Sequence, residues 1–161
     1  MEVVVNAANA RLEPGGGVAG AIHRAAGPGL AEDARPLAPI SPGEAVITGA
    51  HGLPNEHVIH TLGPVYGQDR PEAELLSRCY QNVLALAEEN GVSSVAFPAI
   101  STGIFGYPVE EAAEVALQTV RETAYRLRTV RLVRFVLFSR EDLEVHDRAL
   151  AKILPDSQPE G

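Results

Sequence analysis

Pro98-Ala99-Ile100-Ser101-Thr102-Gly103-Ile104-Phe105-Gly106-Tyr107-Pro108 lies between an apolar run, Val95-Ala96-Phe97, and a helical pattern that begins near Pro108. The run reads as a buried strand. The segment after it holds two glycines, two small hydroxyl residues and no charge. A strand, a small neutral loop and a helix make a cradle for phosphate. Backbone N–H groups close around the anion, and the next helix offers its positive end. Glycine leaves room for that close approach and for positive φ. The same residues also fit an ordinary tight turn between a strand and a helix.

A second segment repeats the pattern. Val3-Val4-Val5 is a β-branched run, followed by Asn6-Ala7-Ala8-Asn9 and then by Gly15-Gly16-Gly17-Val18-Ala19-Gly20-Ala21-Ile22-His23. Three consecutive glycines before a small apolar helix start make another loop fit for an anion or a sugar. Both loops sit at the C-terminal ends of predicted strands, where open α/β sheets bind their ligands.

The rest of the chain supports that sheet. Strands are expected over 2–5, 45–48, 57–61, 94–97 and 130–138. Helices are expected over 17–26, 28–37, 72–90 and 109–127. In the third helix apolar residues recur at 75, 76, 79, 80, 83, 84 and 87, a helical period stopped by Gly91. Pro108 suits the start of the fourth. Ser139 followed by Asp142 resembles a capping box, and predicts a last helix with Leu143, His146, Leu150 and Ile153 on one face. Alternating strands and helices argue an α/β fold, with a largely parallel sheet covered on both faces.

Composition narrows the function. The 161 residues suit a single domain, expected over 1–154, with a frayed tail over 155–161. A formal net charge of −8 repels nucleic-acid phosphates, so a DNA or RNA backbone is a poor partner. No apolar run reaches the ~20 residues of a membrane helix. One cysteine, Cys79, allows no intrachain disulfide and falls on a predicted apolar stripe. With no signal peptide visible, a reducing, cytoplasmic setting is expected. No histidine–carboxylate spacing suggests a metal.

Asn-Ala-Ala-Asn at 6–9, the Gly15–His23 run, Ile59-His60-Thr61-Leu62-Gly63-Pro64 and the 98–108 segment together resemble the macrodomain family, in its MacroD-type branch of ADP-ribose-binding and ADP-ribosyl hydrolase proteins. The pieces stand in the family's order, and the resemblance spans 2 to about 154. It implies a three-layer α/β/α sandwich with a mixed, largely parallel sheet. It implies ADP-ribose and mono-ADP-ribosylated proteins as partners, with no cofactor. The family usually has one more N-terminal strand, ending in a Gly-Asp-Ile-like turn whose aspartate reads adenine. Nothing before Val3 matches it, so a sheet without that strand is expected.

The resemblance also implies roles. Asn9, flanked by Ala7 and Ala8, would hold the distal ribose hydroxyls, since an amide both donates to and accepts from a diol. Asn6 would brace the turn. Gly15, Gly16 and Gly17 would approach the distal ribose and its phosphate, with Val18 beside them. Ser101, Thr102, Gly103, Ile104, Phe105 and Gly106 would wrap the diphosphate, Phe105 covering the ribose. Tyr107 is a further candidate. Phe138 matches the position that stacks on adenine, and fits a core aromatic equally well. Neither 15–23 nor 98–108 contains Lys or Arg, so backbone amides and helix ends must hold the diphosphate. His23 falls near the site, and His60 is expected to be a buried, hydrogen-bonded strand residue.

Ala19 breaks the pattern. MacroD-type hydrolases have Asp there, in Gly-Val-Asp-Gly, and that carboxylate is a candidate to orient or activate water. Three readings stay open. The chain is a non-catalytic ADP-ribose reader. It works as coronavirus macrodomains with Gly-Val-Ala-Gly do, the substrate's own phosphate helping to position water. Or the alanine is an introduced change that traps ligand. The expected activity is hydrolysis of mono-ADP-ribose from protein carboxylates, with deacetylation of O-acetyl-ADP-ribose beside it, assigned to Asn9 and position 19.

Overall fold

The computed structural model describes residues 1–154, so the expected tail at 155–161 lies outside the described residues. The elements are β1 (Val3–Ala7), α1 (Gly17–Ala26), α2 (Pro28–Ala34) with a 3-10 turn Arg35–Leu37, β2 (Ala45–Gly49), β3 (His57–Thr61), α3 (Glu72–Glu89), β4 (Ser94–Phe97), α4 (Val109–Ala124), β5 (Leu132–Phe135) and α5 (Arg140–Ile153). They build one five-stranded sheet in the order β2-β3-β1-β4-β5. β1 pairs in parallel with β3 and β4, and β4 with β5. Only the β2–β3 pairing is antiparallel. The sheet is largely parallel, as the alternating pattern predicts, and mixed, as the resemblance implies.

Side-chain alternation along the strands divides the core in two. Val3, Val5, Ile59, Val95 and Phe97 face α3 and α4 in a dry cluster with Leu76, Tyr80, Val83, Leu84 and Ala116. Phe97 stacks on Phe135 at 5.7 Å and meets Tyr80 at 4.9 Å. On the other face Val4 and Val58 meet Ile22, Ala26 and Leu30 of α1 and α2. Helices therefore cover both faces, which gives the three layers.

Two expectations need correcting. The long strand expected over 130–138 is ordered as β only over Leu132–Phe135, after which Val136 N–H makes one more bond to Phe97 O at 2.8 Å. β5 is an edge strand, and one face of it is open, so the apolar run continues past the pairing. The second correction concerns α5. Ser139 Oγ does cap it, accepting from Asp142 N–H at 3.1 Å. The buried face, however, is Val145, His146, Ala149 and Ile153, packed on α4 and Phe135. Leu143 and Leu150 stand 49% and 41% exposed. Leu143 and Leu150, seven residues apart, share one side of the helix, at the edge of the stripe that packs on α4.

Two carboxylates fasten the loops that precede β4 and β5. Glu88, at the end of α3, accepts from the N–H groups of Arg128 (2.6 Å), Thr129 (2.8 Å) and Val130 (2.9 Å) and from Thr129 Oγ1 (2.8 Å). Glu2 accepts from Ser93 N–H at 2.5 Å and from the Ser93 hydroxyl. The donated N–H of Val130, then that of Arg128, hold the Glu88 carboxyl down to about 2, below its usual 4.5. A carboxylate whose folded-state pKa is depressed stabilises the fold fully above the unfolded value, and loses that contribution as pH falls through the folded one. Glu88→Gln should therefore unfold at lower denaturant than the parent at pH 7. The gap should close between pH 4.5 and about 2, in chemical denaturation followed by circular dichroism. A gap that stays constant across that window contradicts the clamp.

Candidate ligand-binding site

β1 and β4 are neighbouring parallel strands, so the loops that follow them open side by side at one edge of the sheet. After β1 the chain turns at Asn9. The Asn9 amide closes a small ring on Glu13, Nδ2 donating to Glu13 O at 2.8 Å and Oδ1 accepting from Glu13 N–H at 3.0 Å. One N–H and one lone-pair site of the amide remain free. Asn9 is thus a loop brace and also a fixed, half-satisfied polar group. A Cβ on Gly15 would lie 3.5 Å from Asn9 Nδ2, so the glycine loop runs directly past the amide.

α1 then begins at Gly17, whose φ of +58° suits glycine. Its N-cap, Gly16, supplies no side-chain bond, and no acidic residue stands in its first turn. The first amides of the helix are consequently open, with the positive end of the dipole behind them. Val18 stands largely in solvent there, whereas Ala19 is buried. Gly20 holds the loop down, because a Cβ there would overlap the Gly15 carbonyl oxygen.

The second loop is built the same way. Ser101 sits at φ +68° and Gly106 at φ +76°. Gly106 N–H bonds Gly103 O at 3.0 Å, and Tyr107 N–H bonds Ser101 O at 2.9 Å. Among the described residues no acceptor meets the N–H groups of 102–105. Ser101 Oγ is buried without a partner, wedged against Gly63, where a Cβ would overlap it. Gly103 has open space around it, and Ile104 is 99% exposed. Phe105 is half-buried against Ala8, Leu12 and Leu62, which ties the second loop to the first. Its carbonyl accepts from Tyr66 N–H at 2.8 Å.

The two aromatic candidates have opposite fates. Phe138, just past β5, is 99% exposed and so is not a core aromatic. Tyr107 is buried against Tyr66 at 4.9 Å, so its ring lies beneath the loop while its backbone closes it. Ala8 is buried and Ala7 half-buried at the end of β1. Asn6 braces from below, Nδ2 donating to His60 Nδ1 at 3.0 Å. Sequence reasoning did not anticipate the part played by Glu13, Gly20 and Gly63. Glu13 acts through its backbone and the glycines through what they leave out, so none carries a chemical signature. Among the described residues no three His, Cys, Asp or Glu side chains gather as metal ligands.

What emerges is two runs of open amides side by side at one edge of the sheet, on segments without Lys or Arg of their own, with Val18 and Ile104 exposed and Arg24 Nη1 3.1 Å from the Cβ position of Gly20. The fold and loops define an α/β domain suited to a phosphorylated, sugar-bearing ligand. The chain belongs to the Macro domain family, whose family model matches residues 5–116. It is 53% identical over 152 residues to a macro domain-containing protein of Chlorobaculum tepidum, covering 94% of this chain and 88% of that one. It is 50% identical over 156 residues to an O-acetyl-ADP-ribose deacetylase of Klebsiella pneumoniae, covering 94% and 89%. The structure of the Oceanobacillus iheyensis macrodomain, a glycine-to-valine variant with ADPR, superposes with a TM-score of 0.92 at 40% identity, covering 96% of this chain and 87% of that one. Variants of that macrodomain change an Asn, a Gly and an Asp spaced seven and then three residues apart. Asn9, Gly16 and Ala19 have the same spacing.

Gly20→Ala tests the packing beneath the open amides. Alanine favours the helix by about 1 kcal/mol, but its methyl must displace the Gly15 backbone. The variant should keep its helical circular dichroism and thermal midpoint within a few degrees, while calorimetric affinity for ADP-ribose falls at least about tenfold. Unchanged affinity would mean that the Gly15–Gly17 backbone does not touch the ligand.

Proposed function

We propose that this protein binds ADP-ribose and hydrolyses its conjugates, removing the acetyl group of O-acetyl-ADP-ribose and mono-ADP-ribose from carboxylate side chains of proteins. The observation that carries the reading is the pair of open amide runs, at the start of α1 and over 102–105, on segments 15–23 and 98–108 that contain no Lys or Arg. A diphosphate fits N–H groups donated from 102–105 and from the open end of α1. Each such charge-assisted bond contributes on the order of 1.5–3 kcal/mol. The names of the bacterial relatives and the ligand of the structural neighbour support the same reading.

The hydrolytic step is attack of water at the ester carbonyl or at the anomeric carbon of the distal ribose. The free N–H and lone pair of Asn9 reach the ribose diol from a position fixed by Glu13. Phe105 supplies an apolar cover. Position 19 offers only a methyl group, so water must be oriented by the substrate's own phosphate. The same methyl favours a second reading, a reader that binds ADP-ribose without turning it over.

Calorimetry separates the ligand classes. ADP-ribose should bind one-to-one in the micromolar range, about −7 to −9 kcal/mol, and AMP more weakly because it lacks the distal ribose and one phosphate. Equal affinities would remove the distal ribose from the Gly15–Gly17 loop.

Ala19→Asp separates enzyme from reader. Residue 19 is the third position of α1, where a carboxylate meets open amides and the helix dipole, so the variant should fold. Single-turnover hydrolysis of a glutamate-linked substrate should accelerate by one to three decades, about 1.4–4 kcal/mol of barrier. Affinity for ADP-ribose should stay similar or fall slightly, from charge repulsion. A fast parent with no gain from Asp would make the carboxylate dispensable and favour water activation by the substrate.

A further inference from the structure

Between α1 and the sheet lies a buried polar cluster that the ligand site does not use. His60 on β3 is fully buried. Its Nδ1 accepts from Asn6 Nδ2, and its Nε2 lies 3.0 Å from Thr48 Oγ1, whose proton goes to Gly49 O at 3.0 Å. That chain of donors fixes His60 as the neutral ring protonated on Nε2. His23 faces it from α1 with ring centroids 6.5 Å apart. His23 is 6% exposed, and neither ring nitrogen has a partner. Asn6 Oδ1 has none either.

The other large buried side chain of α1 is apolar, Ile22, which packs with Ala26 against Leu30 and Val58. A proton on His23 would place a full charge where no acceptor stands. A second proton on His60 would aim an N–H at the NH2 of Asn6 and force that amide to turn over, three residues before Asn9. The titratable and charged groups on the surrounding elements are Arg24 on α1, Glu32 and Asp33 on α2, His51 and Glu56 in the β2–β3 turn, and His57 on β3. Asp33 is the one whose field reaches His60. It is already engaged by His51 Nε2 and Gly49 N–H, both at 3.2 Å.

We propose that the His23–His60 pair is an acid-sensitive latch: protonation of either ring frees α1 from the sheet and releases the Gly15–Gly17 loop that α1 carries. Release reaches the loop because α1 starts at Gly17 and Gly20 packs under the Gly15 carbonyl. Burial, and then the neighbouring His23, push the His60 pKa down to about 4. Burial also lowers that of His23. Both rings therefore bind protons more weakly when docked than when released, where a histidine titrates near 6.5. Docking is secure above about 6.5 and weakens as pH falls, for His60 until about 4. Each ring favours release by at most about thirty-fold at pH 5. The consequence for ligand rests on the ADP-ribose reading above.

Amide hydrogen exchange on the ligand-free protein reads the latch, with rates corrected for the intrinsic effect of pH. Protection of the α1 amides should fall about twenty-fold or more between pH 7 and pH 5, while those of α3 and β4 keep theirs. His23→Leu removes two orphaned polar atoms and should fold at least as well. It should lose one ring's share of the fall. Imidazole proton resonances give a second measurement, His60 titrating well below 6 in the folded protein. In calorimetry from pH 7.5 to pH 5, the parent should lose more ADP-ribose affinity than His23→Leu. Protection of α1 that ignores pH, that falls in step with α3, or that falls equally in His23→Leu overturns the latch. Absence of ADP-ribose binding at pH 7.5 counts instead against the ligand assignment, and hydrogen exchange then decides the latch alone.

Discussion

Backbone N–H groups left without an acceptor cost free energy wherever water is excluded, and the chain holds two runs of them open beside each other. The rest of the site follows from that constraint. Open amides must be kept from collapsing onto nearby carbonyls, so the loops are pinned from beneath. Gly20 lies under the Gly15 carbonyl and Gly63 under Ser101. Asn9 closes on Glu13, and Phe105 seats the second loop on Ala8 and Leu12 beside the first. These fixings use backbone atoms and packing. Lysine or arginine would supply the same attraction for phosphate, but on a flexible stem whose ordering costs entropy.

The sheet serves that arrangement unequally on its two faces. Toward α3 and α4 it is dry, with Phe97, Tyr80 and Phe135 in mutual contact. This face sets the spacing of β1, β4 and β5. Toward α1 the strands β1, β3 and β2 present Asn6, His60 and Thr48, a polar row beneath the helix that follows the glycine loop. Burying polar groups there costs stability, more so where partners are missing. The helix whose start opens the amides is thus docked on a surface that mixes Val4 and Val58 with that polar row. A loop that must accommodate ligand belongs on such an element.

Much of this was legible before any coordinates. The period of α3 predicts its buried face, with Leu76, Cys79, Tyr80, Val83, Leu84 and Ala87 in the core. The two glycine loops and the strands ahead of them are visible as composition, since glycine runs without charge have few uses at strand ends. α5 and β5 were less legible. Leu143 and Leu150 on one side of α5 and Val145, Ala149 and Ile153 beside them make a stripe too broad to say which part is covered, and an apolar run cannot announce where its partner strand stops.

The sequence by itself determined the alternation of strands and helices, the family, and the absence of Lys and Arg from 15–23 and 98–108, because these depend on local residue types and their period. Tertiary structure alone decided which aromatic lies in the core and which in solvent, as Tyr107 and Phe138 show. It also decided that Gly20 and Gly63 are required by atoms five and thirty-eight residues away. It decided that His23 faces His60, and that both of its ring nitrogens stay without partners. Apart from the Gly20–Gly15 contact, each of these depends on distances between elements far apart along the chain, and no local pattern encodes such a distance.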